Sequence, residues 1–226
     1  MRIVAASDIH GDSNALTAIG GLARSEEADI ILLAGDICSN IRYRHFIDLL
    51  PELADHGKCP VVFTPGNHDF WKPDEWRPEI RCPDRVIRDK HDVVCLIDES
   101  VEFQGYKIYG TPWTPEYGQW NWMRPISDLK FDIPQGTKIL LAHCPPFGFG
   151  DHGPGNKRIG SEAMTEAIQK RPELLVAIYG HAHESAGQQF RQGRTVLCNV
   201  ACRNVAHHFE FGGILSIEIE RGDRVK

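Results

Sequence analysis

The chain has 226 residues, with 25 Lys and Arg, 31 Asp and Glu, and a formal net charge of −6 at pH 7. This length fits one compact domain or at most two small ones, and we predict a single domain over residues 1–226. A general nucleic-acid-binding protein is not expected, because such proteins are normally basic. A small phosphorylated ligand remains compatible with the charge, since a bound cation reverses the local potential.

The cysteines and the first residues both indicate a cytoplasmic protein. The seven cysteines form no C-x-x-C pair, which favours free thiols over disulfides. The first apolar run, residues 3–6, ends at Asp8 and is too short for a signal peptide. No run approaches the ~20 apolar residues that cross a membrane, so no membrane partner is expected. The oligomeric state stays open, with a homodimer among the possibilities.

The first half of the chain alternates apolar runs with amphipathic segments. The runs 3–6, 30–33 and 61–64 are predicted strands, and the segments 13–25 and 42–55 are predicted helices. Pro51 lies inside the second helical pattern and is expected to kink or divide it. An order of strand, helix, strand, helix, strand predicts parallel strands joined by crossover helices.

The second half has shorter and more closely spaced runs. Residues 93–97, 101–103 and 106–109 predict short antiparallel strands of hairpin type. A turn-rich loop follows, and then a short helix over 126–129, a strand over 138–142, a helix over 161–171 capped by Ser161, and a strand over 174–179. The tail from 188 to 220 predicts antiparallel strands with a turn at Gln192-Gly193. The expected fold class is therefore α/β with mixed sheets.

Five of the predicted strands are followed by residue types that bind metal ions. Each block alone also fits turn chemistry or a structural histidine. Strands that lie side by side bring their ends together, so the five blocks are predicted to converge on one rim. They are Asp8 and His10, then Asp36, then Asn67, His68 and Asp69, then His143, and finally His181 and His183.

This set contains more ligands than one ion accepts. Carboxylates combined with imidazoles suit borderline ions such as Zn, Mn and Fe. Without a cation, the clustered carboxylates would leave negative charge unpaired and partly buried, which is costly. We therefore predict a centre of two metal ions, with Asp36, from its position in the middle of the set, bridging them.

The motifs together resemble a known family, the calcineurin-like metallophosphoesterases. This resemblance implies a four-layer αββα sandwich, in which two mixed sheets pack face to face with helices outside. It implies one metal ion held by Asp8, His10 and His183, a second held by Asn67, His143 and His181, and a bridge at Asp36. His68 would not be a ligand but the general acid. The motifs are Asp8-x-His10, Gly35-Asp36, Gly66-Asn67-His68-Asp69, His143 and Gly180-His181-x-His183.

Two further segments narrow the resemblance. Residues 110–115 and 143–149 are similar to the small fetal-brain-type subgroup of metallophosphoesterase-domain proteins. In some members of that subgroup a glycine replaces the histidine that matches His181. His181 is present here, so we expect a complete catalytic site, and the subgroup favours phosphodiester substrates.

These features predict a metal-dependent phosphodiesterase that hydrolyses small or nucleotide-type diesters with two divalent or mixed-valence Mn, Fe or Zn ions. A hydroxide bridging the ions would attack phosphorus, and His68 would protonate the leaving alkoxide. Either Asp69 or another nearby carboxylate would orient the His68 ring. The alternative is a phosphomonoesterase or broad-specificity phosphatase at the same site. A non-catalytic binding protein is disfavoured, because all seven ligand positions and His68 are present.

The substrate-binding residues are less defined by the sequence. The aromatic side chains of Trp113, Tyr117, Trp120 and Trp122 either cover the core, which we favour, or line the site and stack on a base. The loop 147–156 after His143, with Asp151 and His152, is a candidate to border the substrate. We interpret the other histidines as structural or surface residues: His45, His56, His91, His207 and His208.

Overall fold

A computed structural model of the protein describes residues 1–39, 48–69, 87, 89–202, 211–220 and 222–226. Three α-helices are found in these residues: α1 (Ser13–Ser25), α2 (Leu50–Gly57) and α3 (Glu162–Gln169). Asp12 caps α1 by accepting a hydrogen bond from the Asn14 N–H, and Ser161 caps α3 through the Met164 N–H. The predicted helix 13–25 and the predicted cap at Ser161 are thus both confirmed.

The described strands form two large sheets and two short pairs. The first sheet contains β1 (Arg2–Ala6), β2 (Ile30–Ala34), β3 (Val61–Thr64), β4 (Val93–Cys95), β15 (Leu215–Glu220) and β16 (Arg224–Val225). The second contains β5 (Glu99–Phe103), β6 (Tyr106–Thr111), β9 (Thr137–Ala142), β12 (Val176–Tyr179), β13 (Gln189–Gln192) and β14 (Thr195–Asn199). The pairs are β7 (Thr114–Pro115) with β8 (Met123–Arg124), and β10 (His152–Gly153) with β11 (Lys157–Arg158).

Parallel pairing dominates the centre of each large sheet. In the first sheet β1, β2, β3 and β4 run parallel in that order. Beyond β1, β15 pairs antiparallel with β1, and β16 pairs antiparallel with β15. In the second, β6, β9, β12 and β14 run parallel, with β5 and β13 antiparallel at the edges. The carboxyl ends of the parallel strands are therefore available to form a site in both sheets.

The sheets pack face to face with helices outside, as the resemblance implied. Side chains alternate along β1, so Ile3 and Ala5 join the core between the sheets, whereas Val4 and Ala6 join the core beneath α1 and α2. A third core lies between the second sheet and α3, where Met164 packs near Leu140. The predicted four-layer αββα architecture is confirmed.

Two predicted elements differ from the structure. The run 93–97 does not join the hairpin of β5 and β6, because β4 pairs parallel with β3 in the other sheet. Pro51 does not kink α2, since it lies in the first turn, where its missing N–H would have no helical partner. The predicted helical residues 42–47, together with Cys82, His45, His207 and His208, lie outside the described residues.

The described cysteines agree with a further expectation. All six described cysteines are free and buried, as the absence of a C-x-x-C pair predicted. No helix in the part of the chain that the structure describes is both long and apolar enough to span a membrane. His56 and His91 are exposed, and His91 contacts Asp55, in agreement with a surface role.

Candidate metal centre

The five predicted ligand blocks come from the ends of strands in both sheets. Asp8, Asp36 and Asn67 follow β1, β2 and β3 of the first sheet, and His143 follows β9 of the second. The His143 Nδ1–H donates to the Ala34 carbonyl at 2.7 Å and so joins the two sheets at this edge. Asp8, Asp36, Asn67 and His143 are all fully or almost fully buried. The carboxyl ends of two sheets, rather than of one, thus build the site.

The first group of donor atoms contains Asp8, His10 and His183. The Nε2 atom of His183 lies 3.1 Å from Asp8 Oδ1, and the Nε2 atom of His10 lies 3.9 Å from the same oxygen. The two Nε2 atoms are 3.4 Å apart. Two nitrogens bound to one tetrahedral ion at Zn–N distances of about 2.1 Å are also separated by about 3.4 Å. The spacing therefore fits a shared cation.

The second group of donor atoms contains Asp36, Asn67 and His143. His143 Nε2 lies 3.0 Å from Asn67 Oδ1 and 3.4 Å from Asp36 Oδ1. Because Nδ1 of this ring donates to Ala34, Nε2 of the neutral ring is an acceptor that faces two oxygen acceptors. Three acceptors that converge in a buried position require a proton or a cation between them.

Asp36 belongs to the second group and also faces the first. Its Oδ2 atom is 3.7 Å from His10 Nε2, whereas its Oδ1 atom faces His143. Donor atoms of Asp8, Asp36 and His143 also lie within 4.8 Å of one another, which connects the two groups. One carboxylate therefore presents a different oxygen to each group.

His181 lies beside the second group. Its ring centroid is 5.0 Å from that of His143, and the His181 N–H donates to Asp8 Oδ2 at 2.9 Å. Among the described residues, the histidine and carboxylate donor atoms that lie within 4.8 Å of one another in sets of three do not include its ring nitrogens. The hydrogen bond to Asp8 thus fixes the backbone of His181 at the centre, and its ring lies beside that of His143.

A backbone carbonyl orients the ring of His68. The Nδ1 atom of His68 lies 3.2 Å from the Ser39 carbonyl oxygen, and the His68 N–H donates to Asp36 Oδ1 at 2.8 Å. The carbonyl takes the place of the carboxylate, Asp69 or another, that the sequence led us to expect beside this ring. With Nδ1–H directed to Ser39, Nε2 is the nitrogen that remains for proton transfer.

Asp69 connects the loops instead of orienting His68. Its buried carboxylate accepts hydrogen bonds from the N–H groups of Ile37, Cys38 and Gly66, at 3.3, 2.7 and 2.8 Å. These bonds join the loop after β2 to the loop after β3. Burial, together with the charge of Asp36, raises the pKa of Asp69 to about 7. Asp69 therefore holds the segments that carry Asp36 and Asn67 in a fixed position relative to each other.

The ligand loops contain strained backbone conformations. Asp8, His10, Asp36 and His181 have φ angles of 57°, 51°, 51° and 68°, in the left-handed region that non-glycine residues rarely adopt. Such conformations each cost on the order of 1 kcal/mol or more and cluster at functional sites. Four of the seven predicted ligands carry this strain.

The imidazoles differ in their affinity for protons. Burial lowers the pKa of His10 to about 4 and, together with the charge of His143, the pKa of His181 to about 3. Burial also acts downward on His143, but the charge of Asp36 and the hydrogen bond to it raise the pKa of His143 to about 9. A cation at His143 must therefore displace a proton, whereas His10 and His181 are already neutral at pH 7.

Both central carboxylates are ionised at neutral pH. Burial acts upward on the pKa of Asp8 and Asp36, but His183 beside Asp8 and His143 beside Asp36 hold both pKa values well below their usual range. Anionic carboxylates and neutral imidazoles are the forms that bind borderline divalent ions. The donor set therefore fits divalent transition-metal ions.

Gly66 allows two ligand loops to approach each other. A Cβ atom at this position would lie 2.2 Å from Asp36 Oδ1 and 2.4 Å from the Asp36 backbone nitrogen. Gly180 is similar, because its Cβ would lie 2.3 Å from Asp8 Oδ2. Glycine is required at both positions by this close packing rather than by a turn conformation.

We expect Gly66→Ala to displace Asp36, with loss of bound metal and destabilisation by about 1–3 kcal/mol from overpacking. Gly21→Ala in α1 is the matched control, because a Cβ atom there would have no atom within 4 Å and alanine favours helix by about 1 kcal/mol. Urea unfolding and metal analysis of both variants measure the difference. Retention of metal and stability by Gly66→Ala would contradict this packing.

A cavity of about 420 Å³ opens beside the candidate centre. Its lining includes Asp36, His68, His181 and His183 of the centre, and four further residues: Pro154, Lys157, Ile159 and Glu184. Pro154 lies in the loop that we expected to border the substrate, whereas Asp151 and His152 are not among the residues that line the cavity. The sequence analysis did not single out Lys157, Ile159 or Glu184. The volume is in the range of clefts that hold small organic ligands.

The four aromatic side chains between residues 113 and 122 have both of the roles that the sequence left open. Trp122 is buried and donates to the Asp69 carbonyl at 3.0 Å, and Trp113 packs against the same core. Tyr117 instead lines the cavity, and Trp120 is 39% exposed with its ring centroid 4.2 Å from that of His68. The interpretation that all four rings cover the core is thus correct for two of them.

The family model described as calcineurin-like phosphoesterase matches residues 1–185. The chain therefore belongs to the calcineurin-like phosphoesterases, a family of metal-dependent phosphoesterases, and the resemblance inferred from the motifs is confirmed. Metallophosphoesterase domain-containing protein 1 of Homo sapiens is 33% identical over 99 residues, which cover 42% of this chain and 30% of the human protein. The UPF0046 protein K07C11.7 of Caenorhabditis elegans is 24% identical over 93% of this chain and 72% of its own length.

Solved structures agree on the fold. The protein TT1561 of Thermus thermophilus superposes with a TM-score of 0.61 at 18% identity, covering 91% of this chain and 90% of its own. The phosphopantetheinyl hydrolase PptH of Mycobacterium tuberculosis superposes with a TM-score of 0.53 at 15% identity, covering 97% and 96%. At these identities the likeness extends to the fold alone.

Proposed function

We propose that the chain is a phosphodiesterase that hydrolyses small or nucleotide-type diesters with two divalent or mixed-valence Mn, Fe or Zn ions. The observation that carries the proposal is the placement of Asp36, whose two oxygens face two separate donor groups. In this proposal Asp36 bridges the ions, Asp8, His10 and His183 hold one, and Asn67, His143 and His181 hold the other. We also propose that residues 1–226 form one domain, which the pairing of β16 into the sheet of β1 supports.

The bound ions would lower the pKa of a bound water and withdraw charge from the ester oxygens. The remaining requirement is a proton for the leaving alkoxide, and His68 is the side chain proposed to provide it. The Ser39 carbonyl accepts from Nδ1 in both the neutral and the protonated ring, so Nε2 is the atom that gives up the proton. Trp120 packs against this ring and limits its rotation.

The free and buried thiols support a reducing, cytoplasmic location, which is the location we propose.

The aligned region covers less than a third of the human relative, so the activity is proposed for this chain from its own site.

Hydrolysis of bis-p-nitrophenyl phosphate and p-nitrophenyl phosphate tests the proposal. The protein is stripped of metal, reconstituted separately with Mn, Zn, Fe and Co, and assayed on both esters. We expect kcat/KM for the diester to exceed that for the monoester by about tenfold or more in the preferred metal, a difference of about 1.4 kcal/mol in the barrier. A higher value for the monoester would indicate the phosphatase alternative, and no turnover of either ester by the metal-loaded protein would contradict both.

A further inference from the structure

Part of the wall of this cavity is formed by a short hairpin of β10 and β11 and the residue that follows it, through Pro154, Lys157 and Ile159. This hairpin is held firmly at its base. The buried carboxylate of Asp151 accepts from Arg158 Nη1 at 2.5 Å, and the Ile159 N–H donates to the Asp151 carbonyl at 2.9 Å. The His152 N–H donates to Ser185 Oγ at 3.2 Å, just beyond His183. The hairpin therefore has a fixed position relative to the centre.

Adjacent residues of β11 have different electrostatic environments. Arg158 is neutralised by Asp151, which is fully buried. Lys157 is exposed, lines the cavity, and has no carboxylate within 4.0 Å in the described parts of the chain. Glu184 also lines the cavity and directly follows His183 in the chain. Lys157 is the one Lys or Arg among the described residues that line this cavity.

The cavity is larger than one phosphate group requires. The ester phosphate would be held by the ions and by His68, which leaves the volume between Tyr117 and the hairpin for the rest of the substrate. Tyr117 offers an aromatic face there, with its ring centroid 5.7 Å from that of His181. Lys157 contributes a positive charge to the same space, which an anionic substituent would neutralise.

We propose that Lys157 determines substrate specificity by binding a second negative group, so that preferred substrates are phosphodiesters with one arm that carries a further phosphate or carboxylate. This inference rests on the proposed phosphodiesterase function. The ester phosphate contributes one charge to the metal centre, and the second charge on the arm is bound at the hairpin.

Three matched esters test this inference: the p-nitrophenyl ester of thymidine 5′-phosphate, its 3′-phosphate derivative and its 3′-O-carboxymethyl derivative. All three release p-nitrophenol from the same diester, so they differ only in the second negative group. We expect kcat/KM for the metal-loaded protein to be about fivefold higher for the derivative whose anion fits, the 3′-phosphate or the carboxymethyl group. This preference is expected to decrease as salt is raised, because the lysine is exposed.

Lys157→Met is expected to remove the preference, and Lys157→Arg is expected to keep most of it. Lys130→Met is the matched control, since Lys130 is an exposed lysine in a separate surface depression. It removes the same charge and is expected to keep the preference. Equal kcat/KM for all three esters, or an undiminished preference in Lys157→Met, would overturn the inference.

Calorimetric binding of thymidine 3′,5′-bisphosphate and thymidine 5′-phosphate separates this inference from the proposed function. We expect the bisphosphate to bind about fivefold more tightly, and the difference to disappear in Lys157→Met. If no ester is hydrolysed but this difference is found, the phosphodiesterase proposal fails and the anion site at Lys157 stands. If esters are hydrolysed but the two nucleotides bind equally to the parent and to Lys157→Met, the inference fails and the phosphodiesterase stands.

Discussion

His68→Ala is expected to lower turnover of alkyl phosphodiesters by about 10²- to 10⁴-fold, the usual contribution of a general acid. An alkoxide is a poor leaving group and needs a proton as the ester bond breaks, whereas p-nitrophenolate leaves without one. The loss should therefore be much smaller on p-nitrophenyl esters. Turnover of both ester types, together with metal content by mass spectrometry, measures the effect.

The metal content of this variant distinguishes the two roles available to His68. The side chain lies with His10 and Asp36 in one group of close donor atoms, so a ligand role is the alternative to a general-acid role. His91→Ala is the matched control, because His91 is exposed and its side chain contacts that of exposed Asp55. Parent-level turnover of an alkyl diester by His68→Ala, or loss of one metal ion, would contradict the general-acid assignment.

Asp36→Asn is expected to weaken binding of both metal ions and to reduce activity by more than about 100-fold. This loss exceeds the usual effect of changing a residue that only hydrogen-bonds to a metal ligand. Asparagine removes the negative charge that both donor groups share, yet it preserves the shape of the side chain. It also tolerates the left-handed backbone of this position and can still accept the His68 N–H. Metal titration of the apo protein measures the loss.

A second carboxylate variant controls for the general effect of charge. Asp55→Asn removes a negative charge from an exposed position in α2, where Asp55 contacts His91. This variant is expected to bind two metal ions per chain with parent affinity. Two ions bound at parent affinity by Asp36→Asn would show that Asp36 does not bridge.

The sequence predicted the convergence of the ligand blocks because each block is local to one strand end. Ile30–Ala34 is apolar throughout, so it had to be a buried strand, and Asp36 had to lie just beyond its carboxyl end. The same reasoning holds for His143 after β9. Parallel pairing brings such ends together within each sheet, whereas the meeting of the two sheets at this edge depends on packing that local patterns do not specify.

Features that depend on contacts distant in sequence were not predictable. The Ser39 carbonyl that orients His68 carries no sequence signal, because every residue has a carbonyl group. The run 93–97 is apolar in the same way whether it pairs with β3 or joins the hairpin of β5 and β6. Lys157 is one of several exposed lysines in the sequence, and only the tertiary structure shows that it lines the cavity beside the centre. These features follow from tertiary pairing, which local patterns do not specify.

Anomalous X-ray diffraction from crystals of the metal-loaded protein tests the central claim most directly. We expect two ions on either side of the Asp36 carboxylate, one bound by Asp8, His10 and His183 and the other by Asn67, His143 and His181. A single ion per chain, or two ions that do not share Asp36, would contradict the account.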